Sequence, residues 1–180
     1  MTFHTIAEIL AENERAQERF VSVVSGLNDT QAGFRPFENE WTIGEIVEHV
    51  SIVNNGFLRI TRKLLRQAES EAKPAPSDLN LSFLMVDEAG VPIGKFEAPE
   101  TVRPNGGLSI AQALASMRQT LDGFIEIKSR VEAVDLSDQM FPHPAFGPMS
   151  AYQWMLLLSE HQDRHLRQIE RVIASPGFPA

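Results

Sequence analysis

Hydrophobic positions recur at helical spacing in four separate stretches of the chain. In residues 5–27 they are Ile6, Ile9, Leu10, Phe20, Val23, Val24 and Leu27, with Glu8, Glu12, Glu14, Arg15, Glu18 and Arg19 mostly between them. This is the signature of a helix with one apolar face. A second stripe, Ile46, Val50, Val53, Phe57, Ile60 and Leu64, predicts a helix over 42–68. A third, Ile110, Leu114, Met117, Leu121, Phe124, Ile127 and Val131, predicts one over 109–133. The last runs over 150–174 through Trp154, Leu158, Ile169 and Val172, before Pro176-Gly177. Each stretch opens on the same start signal: Thr5 with Glu8, Thr42 with Glu45, Ser109 with Gln112, and Ser150 with Gln153. In such a capping box the hydroxyl accepts from a free backbone N–H while the residue three places on reaches back to the cap. Gly26 and Asn28 are expected to close the first helix.

The intervening segments read differently. Residues 30–40 and 135–148 are expected to be loops. Between the second and third helices, Pro74, Pro76, Pro92, Pro99 and Pro104, with Gly90, Gly94, Gly106 and Gly107, forbid a long helix. Leu79 to Val86 is apolar enough to cover something, as a short helix or an extended piece. A long irregular insert of this kind, residues 71–108, has the form of a lid or binding loop, with Leu79 to Phe96 as the part that would close over a pocket. Four helices with one apolar stripe each need one another to bury those stripes. The fold class expected is therefore all-α, an up-down four-helix bundle forming a single domain over residues 1–180.

Composition narrows the chemistry. A chain of 180 residues can bury a substantial core. Net charge is −8, and there is no Lys/Arg-rich block. That argues against a nucleic-acid partner, since such binding draws on neutralised phosphates. The absence of cysteine removes disulfides, thiolate metal sites and a cysteine nucleophile. No run approaches the roughly eighteen apolar residues of a membrane span. The acidic start, with Glu8, Glu12 and Glu14, is unlike a signal peptide. A cytoplasmic protein with no membrane partner is the expectation.

Of the five histidines, three are candidates for metal chemistry. His161 and His165 are four residues apart, so on a helix they stand one turn apart on the stripe of Trp154, Leu158, Ile169 and Val172. His49, at the edge of the second stripe, supplies a third imidazole from another helix. Three histidines can hold one zinc-like ion and leave positions open for water or substrate. Two helical histidines can equally hydrogen-bond within a core or at a wet edge, and spacing alone does not choose between these readings. His4 is expected to be solvated. His143, in a Pro-rich loop, could line a site mouth or lie on the surface. Glu45, one turn before His49, could act as a base, although its capping box explains it more economically. Glu160 and Asp163 are expected on the side or outer face, and Arg164, Arg167 and Arg171 on a solvated face with Glu170. Ser150 reads as a helix cap, and no Ser/His/Asp constellation is evident.

A set of pieces in fixed order carries a resemblance. They are Leu27-Asn-Asp-Thr-Gln with Arg35-Pro36; Glu40-Trp41-Thr42-Ile43-Gly44-Glu45-Ile46-Val47-Glu48-His49; Lys95-Phe-Glu-Ala98-Pro99 with Pro104; His143-Pro-Ala-Phe-Gly147-Pro-Met-Ser150; and His161-Gln-Asp-Arg-His165-Leu-Arg-Gln168-Ile169. Residues from about 27 to 173 resemble the DinB-like superfamily of metal-binding four-helix bundles, which is unrelated to the DNA polymerase of similar name. The resemblance implies a divalent metal, often nickel or zinc, held at His49, His161 and His165, and a homodimer. Members with known activity include S-transferases using bacillithiol or a related low-molecular-weight thiol, and a mycothiol-dependent maleylpyruvate isomerase. Two functions follow as expectations. One is a metal-dependent enzyme transferring a small thiol onto a small-molecule electrophile, with Glu45 or a water as proton acceptor. The other is a non-catalytic dimeric bundle that binds a metal or ligand in a stress response. A third possibility is a relic site that holds no metal.

Overall fold

The four helix starts written in the sequence all form as reciprocal capping boxes, with N-caps Thr5, Thr42, Ser109 and Ser150. They fix where each helix begins, and the apolar stripes fix how the helices pack. The computed structural model describes residues 1–85 and 97–180. In chain order these residues form β1 (Thr2–Phe3), α1 (Ile6–Val24), α2 (Asp29–Ala32), α3 (Ile43–Glu71), β2 (Leu81–Ser82), a 3-10 turn (Glu100–Val102), α4 (Ile110–Glu126), α5 (Lys128–Val131), β3 (Met140–His143), β4 (Gly147–Ser150) and α6 (Ala151–Ile173). α1, α3, α4 and α6 make a four-helix bundle in which α6 packs on both α1 and α3, and α4 packs on α3 and less extensively on α1. No helix of the described residues is long and apolar enough to cross a membrane.

Two apolar clusters fill the bundle. One contains Ile9, Phe57, Leu65, Phe124 and Met155; the other contains Phe20, Ile43, Val50, Met117 and Ile169. Side chains of this size each contribute about 1.5–3 kcal/mol when fully removed from water. Between the clusters along every helix lie buried polar residues: Asn13 and Gln17 on α1, Ser51 and Asn54 on α3, Thr120 on α4, and Ser159 and Gln162 on α6. Part of this polar level stitches helix to helix. The Asn13 amide donates to the Met155 carbonyl at 3.1 Å and accepts from the Ser159 N–H at 3.2 Å. It thus holds the α6 turn that leads directly into His161. Between α3 and α4, Asn55 donates to the Ser116 hydroxyl at 2.8 Å and accepts from Thr120 at 3.0 Å.

The elements depart from the sequence expectation where short-range chemistry overrides periodicity. Asn28 does not end the first helix but caps the short α2, in a fifth reciprocal box with Gln31. α3 continues past Ala68 to Glu71 and stops where Ala72 turns left-handed at φ 53°. The third stripe breaks at Ile127, leaving α5 as a separate turn. The expected loop over 135–148 contains a hairpin: β3 pairs antiparallel with β4, with Pro142 opposite Pro148 and His143 opposite Gly147. Proline has no N–H to give a ladder, which hides such a strand from a sequence reading. Of the piece from Leu79 onward, Leu81–Ser82 is extended and pairs with Thr2–Phe3. Val86, Lys95 and Phe96, and with them much of the expected lid, lie outside the described residues.

Asn13→Ala should lower unfolding free energy by about 1–3 kcal/mol, the cost of losing buried amide hydrogen bonds. Urea denaturation at neutral pH reads this, and a loss within error of zero would contradict the bridging role of Asn13.

Candidate metal centre

α3 and α6 lie side by side, and the stripes that pack them carry the histidines into one place. His49, His161 and His165 are all buried, each with a potential ligand atom within 4.8 Å of the others'. Their ring centroids are 5.2 Å apart for His49 and His161, 4.8 Å for His49 and His165, and 4.5 Å for His161 and His165. Two aromatic side chains close on the group: Trp41 lies 4.9 Å from the His49 ring and Phe57 5.7 Å from the His161 ring. Among the described residues this is the one cluster of three or more His, Asp or Glu side chains placed to hold a common ion.

Hydrogen bonds around the rings decide which nitrogens remain available. His49 Nδ1 lies 2.7 Å from the Val102 carbonyl. A carbonyl only accepts, so Nδ1 carries the proton and Nε2 keeps its lone pair. His165 Nδ1 is held the same way by Gln168 Oε1 at 2.8 Å. Partners of this kind fix tautomer and ring orientation in histidine metal sites. The Nδ1 of His161 is buried and has no hydrogen-bond partner. A buried polar atom left so costs about 1–3 kcal/mol, which a ligand or ordered water at that atom would offset. The donor set fits a divalent ion of the zinc or nickel type, for which neutral imidazole is a preferred ligand.

Carboxylates surround the histidines without joining them. Glu48, buried, accepts from Gly106 N at 2.8 Å and Gly107 N at 2.9 Å. Together with the Val102 contact, this ties the 3-10 turn and the segment after it to α3 at Glu48 and His49. Glu160 corrects the sequence expectation of a side or outer-face charge. It is buried, and it accepts from Leu84 N at 2.9 and 2.8 Å and from Met85 N. A segment folded over that flank of α6 makes the difference, and helical angle alone could not reveal it. Asp163, half-buried, pairs with Arg19 of α1 at 2.7 Å. Arg167, Glu170 and Arg171 are exposed as expected, whereas Arg164 is half-buried.

The remaining candidates are distributed around this centre. Glu45 accepts from Thr42 N at 2.7 Å through one oxygen and from Arg35 at 2.9 Å through the other, so both are taken, one by the α3 cap and one by the ion pair. His4 is exposed and pairs with Asp78 at 2.8 Å. His143 is half-buried, with its ring 5.3 Å from that of Trp154. Sequence reasoning missed Val102, Glu48 and Glu160 as supports. Gln168 had a readable signal, one turn beyond His165 on the same face.

Burial is the first cause holding the three imidazoles below their ordinary protonation range. His165 is pushed down to about 3, His161 lies well below 6.5, and His49 is lowered. The neighbouring imidazoles add to the effect at His161 and His165. Glu160 is pushed up to about 7 by burial, against the lowering effect of the Leu84 and Met85 N–H groups. As pH falls below about 6.5 the unfolded chain takes up histidine protons that the folded chain refuses. The stability contributed by the neutral rings is therefore present above that pH and lost on acidification toward the folded values. Glu160 has the opposite sign between 4.5 and about 7, where the folded state holds the extra proton. The three imidazoles outnumber it. In chelator-treated protein the urea midpoint should fall between pH 6.5 and 5, and His165→Gln should flatten that slope. Equal slopes for the two proteins would contradict the buried neutral ring.

Comparison with known proteins places this geometry in a family. A family model described as the DinB superfamily matches residues 12–169. An uncharacterized protein of Bacillus subtilis (strain 168), YuaE, is 23% identical over 158 residues, covering 83% of this chain and 87% of that protein. A solved structure, that of TT2238, described as a four-helix bundle protein, superposes with a TM-score of 0.60 at 18% identity, covering 92% of this chain and 98% of the other. This last likeness speaks for the fold. With a family model matched over most of its length and a bundle carrying three clustered histidines, the chain belongs to the DinB superfamily.

Proposed function

We propose that this protein is a divalent-metal-dependent S-transferase that joins a low-molecular-weight thiol to a small electrophile, with His49, His161 and His165 as metal ligands. The observation that carries the reading is the donor set: three neutral imidazoles, with no carboxylate in the cluster among the described residues. A divalent ion bound by these rings retains its full charge and supplies Lewis acidity that favours the thiolate of a bound thiol at neutral pH. In the net reaction a carbon–sulfur bond forms as the bond from that carbon to its leaving group breaks. The thiol proton goes to solvent or, when an epoxide opens, to the alkoxide.

The chain's own residues serve this chemistry by holding and drying the site. Val102 and Gln168 keep the protons of His49 and His165 on Nδ1, so their Nε2 lone pairs face inward. Burial keeps the rings unprotonated near neutrality, so ligands need not first lose a proton. Trp41 and Phe57 form aromatic walls that lower the local dielectric and strengthen the field of a bound cation. Glu45 is occupied with the α3 cap and Arg35, which leaves water as the simpler proton acceptor.

Purified protein should retain about one equivalent of nickel or zinc. It should also catalyse conjugation of a small thiol with a halodinitrobenzene or an epoxide, and His161→Ala should lose both metal and turnover. Turnover that survives chelation contradicts the metal-dependent mechanism. Metal loss that lowers the melting temperature, with no thiol transfer detected under any loading, contradicts the enzymatic reading and fits a binding-only bundle.

A further inference from the structure

His143 lies outside the three-histidine cluster, yet the hairpin delivers it to the same flank of the bundle. β3 is docked on α6 by the indole of Trp154, which donates to the Phe141 carbonyl at 3.3 Å. The His143 ring is stacked on Phe146 at 4.7 Å and tilted against Trp154 at 5.3 Å. From Trp154 the aromatic contacts run to Phe57 at 5.4 Å, and from Phe57 to His161 at 5.7 Å.

Its protonation pattern is set by its own turn. Nδ1 accepts from Ala145 N at 3.1 Å and from Phe146 N at 3.3 Å. A nitrogen that accepts two N–H groups cannot carry a proton, so the neutral ring is the Nε2–H tautomer. Nε2 has no hydrogen-bond partner among the described residues. Half-burial disfavours the cation and keeps the ring neutral. A fixed N–H on a half-buried ring clamped between two aromatic side chains is a preorganised donor with little left to order on binding.

We propose that His143 is a substrate-orienting donor whose Nε2–H binds an acceptor oxygen, a carboxylate or carbonyl, on a molecule that reaches the three-histidine centre. The inference rests on the reading of that centre as a thiol site, and it adds the second anchor point. The class of ligand it selects is a thiol or electrophile bearing an oxygen acceptor, in preference to a purely aliphatic one.

The test uses cobalt-substituted protein and two probe series, ω-mercaptocarboxylates of two to five carbons and alkanethiols of matched length. Thiolate-to-cobalt absorption reads binding. His143→Asn is the informative variant, because its Oδ1 can take over the two turn N–H groups while the Nε2–H is lost. Expected is a weakening of about ten-fold or more for the best-fitting mercaptocarboxylate, with the matched alkanethiol and cobalt affinity changed less than about two-fold. In the unsubstituted zinc form, the His143 Nε2–H proton resonance should move downfield with the mercaptocarboxylate and not with the alkanethiol, a readout that needs no variant. Thiolate absorption in wild type with no His143 dependence in either series, and no proton shift, would overturn the donor role alone. Absence of thiolate absorption with every probe in wild type would overturn the thiol reading, and this inference with it.

Discussion

Three imidazoles held out of water, with ligand atoms within 4.8 Å of one another, are the constraint on which the rest of this structure depends. Such a cluster can be buried only as neutral rings, and only if most of their polar nitrogens are answered. The fold meets both conditions with parts distant in sequence. The Val102 carbonyl answers His49 from 53 residues away, and Gln168 answers His165 from the next turn. Glu48 and Glu160 then accept backbone N–H groups of the two segments laid against α3 and α6, so the loops are anchored on residues adjacent to the ligands themselves. Of the three rings, only that of His161 leaves its Nδ1 buried without a partner among the described residues.

The bundle core is divided accordingly. Apolar clusters at its two ends supply cohesion, while the level between them carries Asn13, Gln17, Ser51, Asn54, Thr120, Ser159 and Gln162. On α6 that polar level coincides with the histidine turn. Asn13 from α1 reaches across to the backbone of the preceding turn, so the position of His161 is set by a third helix as well as by α3. Where such groups are paired, as Asn13 is and as Thr120 is with its neighbour Asn55, their directional bonds tie one helix to the register of the next. A metal centre spanning two helices has use for such ties, since ligand distances depend on register.

Much of this was legible in the sequence because it rests on local rules. Four capping boxes and four apolar stripes placed the helices, and the i,i+4 spacing put His161 and His165 on one face. His49 fell at the edge of its stripe, which is where a residue facing a neighbouring helix must lie. Other features depended on contacts without periodicity. A backbone carbonyl such as Val102 has no sequence signal, and a hairpin with Pro142 opposite Pro148 reads as a loop. Glu160 was assigned to a flank by helical angle, and only the Leu84–Met85 segment crossing that flank buries it. Asn28 looked like a helix end because asparagine serves both ends of helices, and its partnership with Gln31 made it a start.

The central claim is that His49, His161 and His165 together ligate a single divalent ion. X-ray absorption at the metal edge of protein loaded with one equivalent of zinc or nickel tests it most directly. Three imidazole nitrogens at about 2.0–2.1 Å are expected, with one or more exchangeable oxygen neighbours, and loss of one imidazole contribution in His49→Ala. An oxygen-only shell, or an imidazole count unchanged by that substitution, would contradict it.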